Sequence, residues 1–433
     1  MAGSLALTLI VSTVWGQTAP AAPAAPAQVA PDLAPAPPSW YVLGNQDSAS
    51  RLRIGGLVQF DGRSYFDDPT GALVDGFVIR RARPILAATL TNLVEFFLMP
   101  DFAGGTLNLY DAYVDLRPWS WLALRGGKFK TPFGLERLED DRDLVFLERG
   151  LTADIDPDRD LGVALHGNLG VVHRAVDQER PTAEDVETLH YELAVLNGAP
   201  DGASDNGATN DAKNLVARVF AVPFAKARSD ALRGIGLGIA GSYGREQGTA
   251  TATNLPTFAT AGQNAFFSYL PGVIAYGYRS RLTPELYYEV GSFGLLGEYV
   301  VSQTSVTTWA KSATLTDQAW QAQASYLLTG EHATFGGVQP RRPFNLSRHG
   351  YGAFQIAVRY DELLVDPATF PTFADPTKSA NRATEFAGEL NWYLTYDFRF
   401  GALFARTNFD GGAPVPGNRP SENALIGRLQ AAF

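Results

Sequence analysis

The chain has 433 residues, no cysteine, only 18% charged and 12% aromatic residues, 43 glycines and a formal charge of −10, a profile foreign to soluble cytoplasmic enzymes. No run of about 18 or more apolar residues is present that could cross a bilayer as a helix, which excludes helical membrane proteins. The lack of cysteine suits an exported chain.

Residues 1–16 hold the only continuous apolar run, Leu5 to Trp15, followed by Gly16 and Gln17, and read as a signal peptide cut after Val14-x-Gly16. No Lys or Arg precedes Arg51, so the usual basic region is missing and a true start upstream of Met1 is expected. Residues 17–45, nearly all Ala and Pro from Thr18 to Ser39, bury too little to offset their ordering entropy and predict an extended periplasmic linker. The folded part, 46–433, begins in earnest near Arg51.

From there the apolar signal has period two, the spacing at which strand side chains alternate between faces. Between Lys130 and Leu161 this pattern is interrupted by a connection that is long for a barrel and densely charged. It carries Arg137, Arg142, Arg149 and Arg159 against ten carboxylates from Glu136 to Asp160. Such a segment is either a solvated surface loop or one folded inward, where its charges would set selectivity. Gly198 to Ala212 reads as a further polar loop, and Gly234, Gly236 and Gly238 as strand positions needing close packing. Tyr287, Tyr288, Trp392 and Tyr393 sit near strand ends, as interfacial aromatics do.

The alternation is cleanest in the last third. Trp320, Ala322, Ala324, Tyr326 and Leu328 oppose Gln321, Gln323, Ser325 and Thr329. Phe354, Ile356, Val358 and Tyr360 oppose Gln355, Arg359 and Asp361, while Phe386, Leu390 and Trp392 oppose Glu385, Glu389 and Asn391. A turn at Thr395 leads to Phe398, Phe400, Ala402 and Phe404, and Thr407 to Asn423 reads as a loop on the extracellular rim. The chain ends in an amphipathic strand, Leu425 to Phe433, closing on an aromatic. A soluble sandwich also alternates, and this ending favours a membrane barrel. These features predict an all-β fold, a transmembrane antiparallel β-barrel of about 16 strands around an aqueous channel.

Particular residues, spread in order along nearly the whole mature chain, resemble a known family, the phosphate-selective porins O and P of the bacterial outer membrane. They are Arg51-Leu-Arg-Ile-Gly-Gly-Leu57, Phe77-Val-Ile-Arg80-Arg81-Ala-Arg83, Asp111-Ala-Tyr-Val-Asp115, and Arg125-Gly-Gly-Lys128-Phe-Lys130-Thr-Pro-Phe133-Gly134-Leu135-Glu136. Phe146-Leu-Glu148-Arg149, Leu328-Thr-Gly330-Glu331, Gly352-Ala-Phe-Gln-Ile-Ala-Val-Arg359-Tyr360, Asn391-Trp392-Tyr393 and Gly427-Arg428-Leu429-Gln430 complete the set. The resemblance implies an outer-membrane anion channel, a homotrimer of barrels each with an inward-folded constriction loop, and passage of small anions such as phosphate. It places Arg80, Arg81, Arg137 and Arg149 on the anion path, with Asp111 as acidic partner. Guanidinium groups bind tetrahedral oxyanions by paired, charge-assisted hydrogen bonds. Adjacent strand residues face opposite ways, so Arg80 and Arg81 can both point inward only with a bulge.

The chain departs from the family pattern at Leu57 and Glu95, where basic residues are expected, and at Asp140 and Asp141, where small hydroxyl residues are expected. Each change makes the pore less positive, and a carboxylate near the constriction repels phosphate. A general or cation-tolerant porin is therefore an alternative. A barrel-based outer-membrane hydrolase is another, with His166, His173, His190, His332 and His349 as its only histidines, none in a recognisable catalytic motif. The sequence carries no metal-ligand cluster, phosphate-binding glycine loop or nucleic-acid patch, and implies no cofactor.

Overall fold

A computed structural model of the chain describes residues 41–43, 50–69, 71–175, 183–207, 210–414 and 417–433. The signal peptide and nearly all of the Ala/Pro segment lie outside the described residues. One sheet of 17 strands dominates, and setting aside the three-residue strand Tyr41–Leu43 leaves 16. They are β1 (Arg51–Phe66), β2 (Gly76–Leu90), β3 (Val94–Asp101), β4 (Asn108–Trp119), β5 (Leu122–Lys130), β6 (Arg159–Asn168), β7 (Leu189–Leu196) and β8 (Asn214–Ala221). β9 (Ile235–Gln247), β10 (Ile274–Val290), β11 (Phe293–Thr307), β12 (Ser312–Leu327), β13 (Ala353–Leu364), β14 (Ala380–Tyr393), β15 (Phe398–Gly411) and β16 (Glu422–Ala432) follow.

Every strand pairs antiparallel with the next. β16 then pairs with β1, from Leu57↔Ala432 to Phe66↔Asn423, and closes the cylinder. Closure satisfies the backbone polar groups of every strand without an open edge. Below the end of β16 the first residues of β1 would be unpaired on one side, and Tyr41–Leu43 covers them, pairing Tyr41↔Ile54 and Leu43↔Leu52. Residues 41–43, within the stretch predicted as linker, thus belong to the sheet.

The predicted faces hold. On β15, Phe398, Phe400 and Phe404 are exposed outward while Arg399, Leu403 and Thr407 are buried inward. On β14, Phe386 and Leu390 face out and Glu385, Glu389 and Asn391 face in. Of the four aromatics expected at strand ends, Trp392 stacks on the outer face between Phe354 and Phe400, at 5.7 and 5.9 Å. Tyr287 instead stacks on Phe220 at 5.3 Å, and Tyr393 is buried. The crowded glycines also behave as expected, since a Cβ on Gly236 would meet the Tyr287 ring at 2.5 Å.

Connection length does not separate the two rims cleanly. At the rim carrying the chain ends, β10 and β11 are joined by two residues, yet β12 and β13 are joined by 328–352. At the opposite rim the connection 308–311 is short. The loop expected over Thr407 to Asn423 is also shorter, because both of its ends continue as strand in β15 and β16.

The lumen is not uniformly polar. Phe133, Leu151 and Ile155 of the 131–158 connection pack with Phe258, Phe266 and Phe267 of a small hairpin (Thr257–Ala259, Ala265–Ser268) and with inward-facing Val300, Leu363 and Phe409 of the wall. Connections that fold inward must bury apolar faces of their own, and they do so against small or apolar wall residues such as Ala319 and Ala383.

Candidate pore site

The connection between β5 and β6 crosses the inside of the barrel. Gly134, at φ +78°, turns the chain inward, and a Cβ there would fall 2.3 Å from Asp156 Oδ2, so only glycine fits. A short helix, Leu135–Leu138, and a 3-10 turn, Leu151–Asp154, follow. Arg149 ties the intervening stretch together by donating to the carbonyls of Glu136 and Glu139 at 3.0 and 2.7 Å, and Arg137 donates to the Ala153 carbonyl.

The wall holds this segment from several sides. Arg399 donates to the Val145 carbonyl at 2.8 Å, Arg359 to the Glu148 carbonyl at 2.9 Å, and Arg428 to the Leu147 carbonyl. The Leu135 amide donates to Glu298 on β11 at 2.8 Å. These contacts, to β11, β13, β15 and β16, set the segment against inward-facing side chains of the wall.

Several ion-pair networks join the segment to the wall, among them Arg359 with Glu136 of the segment and Asp361 and Glu385 of the wall at 3.6, 2.7 and 3.0 Å; two are rich in arginine. In the first, Glu148 faces Arg80 at 2.7 Å, Arg428 at 2.6 Å and Arg63 at 3.5 Å, and Asp61 pairs with Arg428 at 2.6 Å and Arg63 at 3.1 Å. In the second, Asp141 meets Arg149 at 2.5 Å, Arg81 at 3.2 Å and Arg83, which also pairs with Asp101 at 2.7 Å. Each network sets three guanidinium groups against two carboxylates, a surplus of one positive charge, provided both loop acids are ionised. Burial alone would raise the Asp141 carboxyl, but Arg81, Arg149 and Arg83 hold it well below the usual carboxylate range. Glu148, likewise opposed by burial, is held down by Arg80 and Arg428.

Other acids of the segment go the opposite way. Burial, reinforced by Asp140, pushes Asp143 up to about 7, and burial pushes Asp154 up to about 8. Asp154 accepts the Ala259 amide at 2.9 Å and so joins the inward segment to the hairpin.

Arg80 and Arg81 do both reach inward. The register of β2 on β1 slips between Gln59↔Arg81 and Phe60↔Ile79, leaving Arg80 as the bulged residue. Asp111 pairs with Arg159 at 3.2 Å, apart from the two networks. Arg137 braces the segment and lies 3.7 Å from Asp158. Asp140 and Asp141, adjacent in sequence, separate in space: the Asp140 side chain is 74% exposed and 3.5 Å from Lys130, whereas Asp141 is buried among its arginines. Leu57 is buried on the inner face. Glu95 lies elsewhere on the wall, pairing with Arg117 at 3.2 Å, near Asp115, which holds His166 at 2.9 Å.

Sequence reasoning did not single out Arg63, Arg83, Arg428, Asp61 or Glu148 as site residues. The signal was present in the period: Asp61 and Arg63, and Arg81 and Arg83, are two apart and share the inward face.

A closed barrel of 16 antiparallel strands, apolar outside and charged inside, defines an outer-membrane porin. The model of the phosphate-selective porin O and P family matches residues 53–433, and the chain belongs to that family, in the bacterial outer membrane. Among curated proteins none matches the sequence. The outer-membrane channel DcaP of Acinetobacter baumannii is similar in fold, at 9% identity and TM-score 0.56 over 91% of this chain and 100% of that one. OmpT, an outer-membrane protein of Vibrio cholerae, matches at 10% identity and TM-score 0.54 over 91% and 100%. An anion-selective porin from Comamonas acidovorans matches at 11% identity and TM-score 0.53 over 89% and 100%.

Proposed function

We propose that the chain is a homotrimeric diffusion porin for small hydrophilic solutes, with a modest preference for anions including phosphate, narrowed by the 131–158 segment. The observation that carries this reading is the surplus of one positive charge in each of the two arginine-rich networks that bind the segment at Glu148 and Asp141. Six guanidinium groups attract anions, and four carboxylates consume most of that attraction. The family to which the chain belongs and the anion-selective Comamonas porin among its structural relatives support the same sign. A trimer form of the Vibrio OmpT supports the homotrimer. Residues 1–16 serve as export signal and 17–40 as periplasmic linker, and the protein acts as a channel without catalysis.

A second reading, a general or cation-tolerant porin, is favoured by the exposed Asp140 carboxylate. The zero-current potential of the purified protein in a planar bilayer under a tenfold chloride-salt gradient decides between them. An anion-signed potential with current reduced by phosphate supports the first reading. A cation-signed or zero potential supports the second, and a protein silent in the bilayer would overturn the channel itself.

A further inference from the structure

The connection 328–352, at the rim carrying the chain ends, carries no acidic residue from His332 to Gly352 but contains Arg341, Arg342 and Arg348. In a chain of net charge −10 this is a concentration of positive charge. All three arginines are exposed, and none is paired with a carboxylate among the described residues. They sit on an ordered framework. The Asn345 side chain caps the turn Leu346–Arg348, accepting from the Ser347 and Arg348 amides at 3.0 and 3.1 Å. The Phe344 amide donates to the Leu394 carbonyl at 2.7 Å, and the Gly352 amide to the Arg342 carbonyl at 2.9 Å.

The framework rests on the outer face of the barrel. Phe344 packs edge-on against Trp392 at 5.5 Å, and Trp392 Nε1 donates to the Tyr351 carbonyl at 2.7 Å. Trp392 belongs to the outward aromatic row with Phe354 and Phe400, the level at which such rings mark the boundary between lipid and water. At the tip Leu346 is 81% exposed and Tyr351 is 51% exposed. Guanidinium groups beside an exposed leucine and tyrosine, held at an aromatic girdle, have the make-up of an interfacial anchor: apolar groups enter the acyl boundary while cations meet phosphate.

We propose that this arginine-bearing knuckle binds the anionic phospholipid headgroups of the leaflet at the chain-end rim. Each arginine near a charged bilayer surface is worth about fivefold in partitioning, so three together give about a hundredfold preference over zwitterionic lipid at low salt.

The test reconstitutes the full protein in nanodiscs of phosphatidylglycerol and phosphatidylethanolamine, releases it and weighs the retained lipid by native mass spectrometry. The variant R341Q/R342Q/R348Q should lose at least tenfold in retained phosphatidylglycerol, and R341K/R342K/R348K should keep it. Equal retention in the glutamine variant overturns the proposal. So does unchanged lipid retention with a changed oligomeric state, which would assign the knuckle to contact with another copy of the chain. Heat-modifiable migration on gels reports barrel closure, and R348Q alone, expected to lose about fivefold, carries the test if the triple variant fails to close.

Discussion

Replacing Asp141 with Asn removes the acid that three arginines share and leaves their geometry nearly unchanged. The network of Arg81, Arg83, Arg149, Asp101 and Asp141 then passes from a surplus of one positive charge to two. For an ion about 6 Å away in a water-filled opening, one unit charge contributes about 0.7 kcal/mol, reduced by screening at about 0.1 M salt to about 0.4 kcal/mol. Chloride gains what potassium loses, so the anion-to-cation permeability ratio should rise by about fourfold. The cost falls on the inward segment, because removing one member of a buried ion-pair group destabilises by about 3–5 kcal/mol. A closed barrel should withstand that, as migration of the heated and unheated protein on gels would verify. The assay is the zero-current potential in a chloride gradient. An unchanged potential in a correctly closed D141N barrel would refute the reasoning, since it would mean that ions pass beyond the reach of this network.

Arg80→Glu should turn the Glu148 network from a surplus of one positive charge to one negative and move the zero-current potential toward cations; an unaltered preference would remove Arg80 from the ion path. Arg149→Glu should also release the Glu136 and Glu139 carbonyls, giving larger and noisier single-channel currents, and quiet wild-type currents would contradict its bracing role. Asp154, raised to about 8, retains its proton in the docked segment after an undocked carboxyl would have lost it. Docking therefore weakens as pH rises from about 4 to about 8 and is level above that. Current noise should grow over that window in wild type and less in Asp154→Asn, and parallel profiles would count against the assignment. Phe433→Ala should reduce the yield of closed barrel, because the terminal ring covers Gly56 on β1; undiminished yield would argue that the terminal ring is dispensable.

The wall was legible in the sequence because its cause is local. A strand exposing one face to lipid and one to the lumen must alternate residue by residue, and segments such as Phe398–Phe404 or Phe386–Trp392 state that alternation without reference to anything distant. The conditional reading of Arg80 and Arg81 was of the same kind: the need for a bulge follows from strand geometry, although its location does not. The site was less legible because its cause is not local. Asp140 and Asp141 look equivalent in sequence, yet one reaches open space and the other is enclosed by arginines from β2 and its own segment. Glu148 has partners on β1, β2 and β16, and residues 63, 80 and 428 are brought together only by closure of the cylinder.

The sequence by itself thus determined the strands, their faces and the family, since period, turn chemistry and a terminal aromatic strand are written in consecutive residues. The tertiary structure alone decided that the 131–158 segment lies against the inner wall and which carboxylate answers which arginine. Ion pairing depends on distances of a few ångströms between residues hundreds of positions apart, and only the closed barrel sets those distances.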